Sequence, residues 1–181
     1  MKTTILDIGC GSSPKGDVNC DLYRTKTPHI MEEHTIVPRK IPNFVLCDLQ
    51  HLPFRDNSFD IVNASQVIEH ILEPALMLKE MKRVSKGMVT LDVPNLRRLT
   101  AEQNQYHLYS WSDKTLQNLL MLFFDDVRIE GAEYASYLPS EFLKKPGVGL
   151  FLELFESFIY RLFGPPFIKA ICAVSKQTCP K

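Results

Sequence analysis

Thr4-Ile5-Leu6-Asp7-Ile8-Gly9-Cys10-Gly11-Ser12-Ser13-Pro14 is a short apolar run that carries one acid and breaks into two glycines and small residues. Ile5, Leu6 and Ile8 have the near-continuous apolar character of a strand covered on both faces. Gly9 and Gly11 follow as a tight turn whose backbone, free of Cβ atoms, can lie against a ligand. Working outward, a second short strand ends in an acid at Asp17-Val18-Asn19-Cys20-Asp21, and a third at Asn43-Phe44-Val45-Leu46-Cys47-Asp48. In an open parallel sheet, ligands bind beyond the carboxyl ends of the strands. Gly9, Gly11, Asp21 and Asp48 are therefore expected along one edge.

A chain of 181 residues suits one domain with a substantial core. Lys+Arg and Asp+Glu number 21 each, so no general electrostatic attraction to nucleic acid or acidic lipid is expected. The N-terminal residues lack a basic, then apolar, then small-residue leader, so the reading is cytoplasmic. Cys10, Cys20, Cys47, Cys172 and Cys179 are odd in number and form no C-x-x-C pair. They read as reduced structural thiols, with neither a disulfide framework nor a zinc site.

Leu22 to Pro42 is polar and punctuated by Pro28, Pro38 and Pro42, and reads as loop with one helical turn near Ile30 to His34. His29, Glu33 and His34 lack a further ligand pair at a metal-binding spacing, so they read as a solvated turn and no metal is expected. Phe44 to Leu49, Phe59 to Ala64 and Met88 to Val93 read as strands. Leu72, Leu76, Met77, Met81 and Val84 mark an amphipathic helix, with Pro74 in its first turn and a turn at Lys86-Gly87 after it. Ser112-Asp113 caps a second helix through Leu116, Leu119, Leu120 and Phe123. Asp126 to Glu130 and Phe167 to Val174 supply the last two strands. Strands alternating with helices point to an α/β fold with a parallel sheet.

Leu6-Asp7-Ile8-Gly9-Cys10-Gly11, Cys47-Asp48-Leu49 with Leu52-Pro53-Phe54, Ser58-Phe59-Asp60-Ile61-Val62, Val67-Ile68-Glu69-His70 and Arg83-Val84-Ser85-Lys86-Gly87 together resemble the class I S-adenosylmethionine-dependent methyltransferases. The type 11 group is the nearest likeness, from Ile5 to Asn95. The resemblance implies a Rossmann-like, seven-stranded, mostly parallel sheet with its last strand antiparallel, and S-adenosylmethionine across the carboxyl edge of the first strands. It implies that Gly9 and Gly11 admit the methionine part of the cofactor. Asp7 would anchor the turn or reach the methionine amine, and Asp21 would accept from both ribose hydroxyls. Asp48 would accept from the adenine amino group while Leu49 packs on the ring, and Ala64, Ser65 and Gln66 would border the sulfonium.

Asp21 follows Gly11 by only ten residues. That gap is too short for a full crossover helix, so the first crossover helix is expected to be shortened or missing, replaced by a loop through Lys15-Gly16. Asp17 is a neighbouring alternative for the ribose acid and reads better as a turn residue. The missing third glycine and pyrophosphate-facing helix argue against a nicotinamide-dependent reductase.

Methyl transfer from a sulfonium is an in-line displacement that depends on alignment and exclusion of water. A base is needed only where the acceptor must lose a proton, and His70 and His107 are the candidates. The alternative for Glu69-His70 is to cap or brace the helix that follows. Asn95, Tyr106 and Tyr109 are placed to meet an acceptor, expected to be a small molecule, a glycan or a lipid precursor and not nucleic acid. A non-catalytic S-adenosylmethionine-binding or partner-binding protein of the same fold is the rival reading.

A helical apolar insertion is expected at about 138–166. Within it, Glu153, Glu156, Ser157 and Tyr160 recur on one stripe of Gly147 to Phe163, leaving a wide apolar face. Packing over the sheet, a homodimer or partner contact, and a peripheral lid for a lipid-like acceptor all fit that pattern.

Overall fold

The computed structural model describes residues 2–23, 36–96, 106–132 and 167–174. The turn at Ile30 to His34, the three residues His29, Glu33 and His34, the insertion at 138–166, and Cys179 lie outside the described residues.

Seven strands form one sheet: β1 (Ile5–Ile8), β2 (Val18–Asp21), β3 (Phe44–Leu46), β4 (Phe59–Ser65), β5 (Ser85–Pro94), β6 (Asp126–Ala132) and β7 (Phe167–Ala173). Their spatial order is β3-β2-β1-β4-β5-β7-β6. The first five run parallel, and β7 is antiparallel to both β5 and β6. The expected mostly parallel sheet with a reversed last strand is what the chain forms, and it brings the carboxyl ends of β1, β2, β3 and β4 to one edge.

Helix α1 (Pro74–Val84) joins β4 to β5, and α2 (Asp113–Leu120) precedes β6. Pro74 opens α1, where a missing N–H costs nothing. Ser112 caps α2 in a reciprocal box with Thr115. Met77, Leu78, Met81 and Val84 of α1 and Leu116 and Leu120 of α2 are fully buried with Leu6, Ile8, Val62, Val89, Leu91 and Ile168 from the sheet. At roughly 1.5–3 kcal/mol for each large apolar side chain buried, this cluster supplies the main stabilising term.

Two details differ from the sequence reading. Lys86-Gly87 is not a turn: β5 begins at Ser85, directly after α1. The pairing steps from Phe59↔Ser85 to Ile61↔Met88, a bulge that absorbs one extra residue of β5. Ser85 holds it together, its hydroxyl donating to Met88 O (2.9 Å) and accepting from Gly87 N (3.3 Å). The helix placed from Leu72 starts two residues later, at Pro74, because the preceding turn ends in extended backbone at Ile71.

Between β1 and β2 the chain has no helix. Nine residues, Gly9 to Asp17, bridge the strands as a loop, as the short interval requires. Among the described residues no helix is long and apolar enough to cross a membrane. Cys10, Cys20, Cys47 and Cys172 are unbridged, and all but Cys47 are buried.

Candidate functional site

The loop after β1 is built on one carboxylate. Asp7 is buried, and its Oδ2 accepts from Lys15 N (2.8 Å) while Oδ1 accepts from the Asn63 amide (2.7 Å). Thr90 Oγ1 donates to Asn63 Oδ1 (2.9 Å), extending the chain of bonds into β5. Burial pushes the Asp7 carboxyl above its ordinary range, against the lowering effect of these bonds. Asp7 therefore anchors the turn across three strands.

Gly9 and Gly11 both adopt left-handed backbone, φ 65° and 53°. They answer to different neighbours. A Cβ on Gly9 would sit 2.4 Å from Val67 Cγ2, so this glycine is needed for packing. Among the described residues, a Cβ on Gly11 would meet nothing within 4 Å, so its bare backbone faces open space there.

Beside it lies Asp21, the last residue of β2. Asp21 Oδ2 accepts from Gly11 N (3.0 Å) and Oδ1 from Tyr23 N (3.1 Å), and burial raises its carboxyl above the ordinary range. Each oxygen has one protein donor and retains acceptor capacity for a pair of hydroxyls. Asp17 sits at the other end of β2, accepting from Ile5 N (3.1 Å) and pairing with Lys2, so it is not a second acid at this edge.

Asp48 lies just past β3, where Cys47 N donates to Asp21 O (3.0 Å). Its side chain is 43% exposed, and the Gln50 backbone N–H, foremost, holds its carboxyl below the usual range. Leu49 beside it is buried. Arg83 on α1 fixes the segment that follows: it donates to Leu52 O (3.0 Å) and Phe54 O (2.8 Å) and pairs with Glu80, whose Oε2 accepts from Leu52 N (2.8 Å). The glycine turn, Asp21 and Asp48 thus share one edge. The residues fit an adenosyl cofactor with no pyrophosphate: a bare backbone over open space, a buried bidentate acceptor, and an exposed acceptor beside an apolar side chain.

At the end of β4, Ala64 is buried, and Ser65 Oγ donates to Asp92 Oδ1 (3.2 Å) while accepting from Lys15 Nζ (3.3 Å). Gln66, at φ 56°, donates from Nε2 to the same Asp92 oxygen (2.8 Å). The sequence reading passed over Asp92. Its signal was available, an acid near the end of a strand in Leu91-Asp92-Val93-Pro94, matching Asp21 and Asp48.

Past Gln66, a 3-10 turn at Ile68–His70 brings two distant histidines together. The His70 and His107 rings meet edge to face with centroids 4.7 Å apart. His70 Nδ1 donates to Tyr106 O (3.1 Å), and Glu69 O accepts from Leu108 N (2.8 Å) and Tyr109 N (3.3 Å). Tyr109 stacks on Trp111 and donates from its hydroxyl to Leu72 O (2.9 Å). Asn95 is buried and forms a parallel bridge with Trp111. Glu69, which sequence reasoning read as a cap or brace for the helix, is 1% exposed, and among the described residues neither carboxylate oxygen has a hydrogen-bond partner. Burial pushes its carboxyl up to about 8.

Residues 6–90 match the family described as methyltransferase domain. An uncharacterized methyltransferase of Schizosaccharomyces pombe is 37% identical over 99 residues, covering 45% of this chain and 36% of the relative. Demethylmenaquinone methyltransferase of Thermotoga maritima is 29% identical over 122 residues, covering 59% of this chain and 52% of the relative. The chain thus spans less than two thirds of the length of these curated relatives. Among solved structures, an S-adenosylmethionine-dependent methyltransferase of Thermotoga maritima superposes with a TM-score of 0.66 at 15% identity, over 97% of this chain and 84% of that one. That likeness is one of fold.

Proposed function

We propose that the chain, whose residues 6–90 match a methyltransferase domain, is a class I S-adenosylmethionine-dependent methyltransferase that transfers a methyl group to a small-molecule, glycan or lipid-like acceptor. The observation that carries this reading is the Gly11 backbone, open on its ligand side and hydrogen-bonded to the Asp21 carboxylate.

When bound, the cofactor supplies an electrophilic methyl on a positively charged sulfur. The chain's part is to hold and align. Gly11 lets the backbone approach the methionine portion, and Gly9, packed on Val67, shapes the turn that presents it. Asp21 accepts from the two ribose hydroxyls, and because its own geometry is set by Gly11 N and Tyr23 N, little freedom is lost when they arrive. Asp48 accepts from the adenine amino group, with Leu49 against the ring. Ala64 and Ser65 border the sulfonium, Ser65 being held by Asp92 and Lys15. Asn95, Tyr106 and Tyr109 lie toward the acceptor, and the paired imidazoles of His70 and His107 are the groups able to take a proton from it.

Isothermal titration with S-adenosylmethionine, S-adenosylhomocysteine and NAD(H) tests the cofactor assignment. Micromolar binding of the first two and none of NAD(H) is expected. Binding of NAD(H) in their place overturns it. Cofactor binding without methyl turnover on a broad acceptor panel transfers the reading to a non-catalytic cofactor-binding protein.

A further inference from the structure

We propose that Glu69, His70 and His107 form a binding site for one divalent transition-metal cation, zinc in the first instance. One ligand atom from each side chain, a carboxylate oxygen and two imidazole nitrogens, lies within 4.8 Å of the others. A tetrahedral zinc centre with bonds of about 2.0–2.2 Å sets its ligand atoms about 3.4 Å apart, so modest side-chain rotation closes the set.

The carboxylate is what distinguishes this group from a chance cluster. Glu69 is 1% exposed, and among the described residues its two oxygens have no hydrogen-bond partner, an arrangement that is unfavourable unless something compensates it. A cation between Glu69 and the two rings supplies that compensation. His70 is already oriented as metal-binding histidines usually are: Nδ1 donates to the Tyr106 carbonyl (3.1 Å), which puts the lone pair of the neutral ring on Nε2. The third ligand is brought from 37 residues further along by Leu108 N and Tyr109 N, which both bond to Glu69 O and clamp the His107 segment against the 3-10 turn.

Two imidazoles and one carboxylate select zinc or another late first-row ion over magnesium and calcium, which take oxygen ligands. Three protein ligands leave a fourth position open. With the cation bound the two imidazoles serve as ligands, and in the metal-free protein they remain available as bases. The site follows from these side chains alone and stands whether or not the chain transfers methyl groups.

The test uses the tag-free full chain, stripped with chelator and dialysed against Zn2+ and, separately, Co2+, with bound metal measured by atomic emission. One equivalent of each is expected, and the cobalt absorption spectrum is expected to lack a thiolate charge-transfer band. Glu69→Gln, His70→Ala and His107→Ala are each expected to weaken binding at least tenfold. If Glu69→Gln fails to fold, His107→Ala, in a half-buried segment outside the regular elements and checked by circular dichroism, carries the test. No retained metal, a thiolate band from the cysteines, or unchanged affinity in His107→Ala overturns the proposal. Binding of S-adenosylmethionine, measured on the same samples, reports on the cofactor assignment separately.

Discussion

The carboxyl edge of the sheet holds buried acids treated in two opposite ways. Asp7 and Asp21, beneath and beside the glycine turn, have protein donors on both oxygens. Glu69, past β4, is more deeply buried than Asp21 and has none among the described residues. A carboxyl group withdrawn from water needs hydrogen-bond partners. On the first side the fold provides them, so the acids serve as fixed supports. On the second, no described residue provides them.

Asp7→Ala gives the largest expected effect. It orphans Lys15 N and the Asn63 amide, both in part-buried bonds, so about 2–6 kcal/mol of folding stability is the upper range at about 1–3 kcal/mol per unmet donor, read as a shift in urea midpoint. A loss below 1 kcal/mol would mean that water reaches the turn and that the contrast with Glu69 is false. Asp21→Ala comes next, expected to weaken S-adenosylmethionine binding by roughly 1–3 kcal/mol in a folded variant. Unchanged affinity removes Asp21 from the ribose. Gly11→Ala is expected to cost about 1–2 kcal/mol of stability, through left-handed strain alone, and to lower cofactor affinity because the new methyl enters open space. A stability loss without an affinity loss would place the cofactor elsewhere. Glu69→Gln, in metal-free protein, is expected to change stability by less than about 1 kcal/mol, since no hydrogen bond is removed. A loss on the scale of Asp7→Ala would break the comparison by revealing a structural partner for Glu69. For turnover, His70→Ala is expected to lower the rate on the true acceptor while leaving cofactor affinity nearly intact, and equal rates would remove His70 from the chemistry.

The grouping of Gly9, Gly11, Asp21 and Asp48 at one sheet edge was legible because its signals are local. Gly9, Gly11, Asp21 and Asp48 each stand at a strand end, and their strand is visible from a few neighbouring apolar residues. The shortened first connection followed from counting residues between Gly11 and Asp21. The acceptor side was not legible in the same way. Glu69-His70 and His107 are far apart in the chain, and their meeting depends on backbone bonds between the 3-10 turn and residues 108–109, which no periodicity announces. Asp92 was passed over although it lies near a strand end, because two further residues of its strand, Val93 and Pro94, follow it and make the signal weaker than at Asp21 and Asp48. Lys86-Gly87 was misread because a glycine after a helix looks like a stop, whereas Ser85 already holds the chain in a bulge.

Strand β7 is the last of the seven to be synthesised, yet it lies between β5 and β6 and supplies a hydrogen-bonded neighbour to each. Until residues 167–173 leave the ribosome, β6 has no place in the sheet and one flank of β5 stays open. The glycine turn and its acids can assemble early from neighbouring strands, while the far half waits for a long-range closure. Newly made chains would therefore pass through a stage with an adhesive sheet edge, the interval in which crowding or chaperones decide their fate.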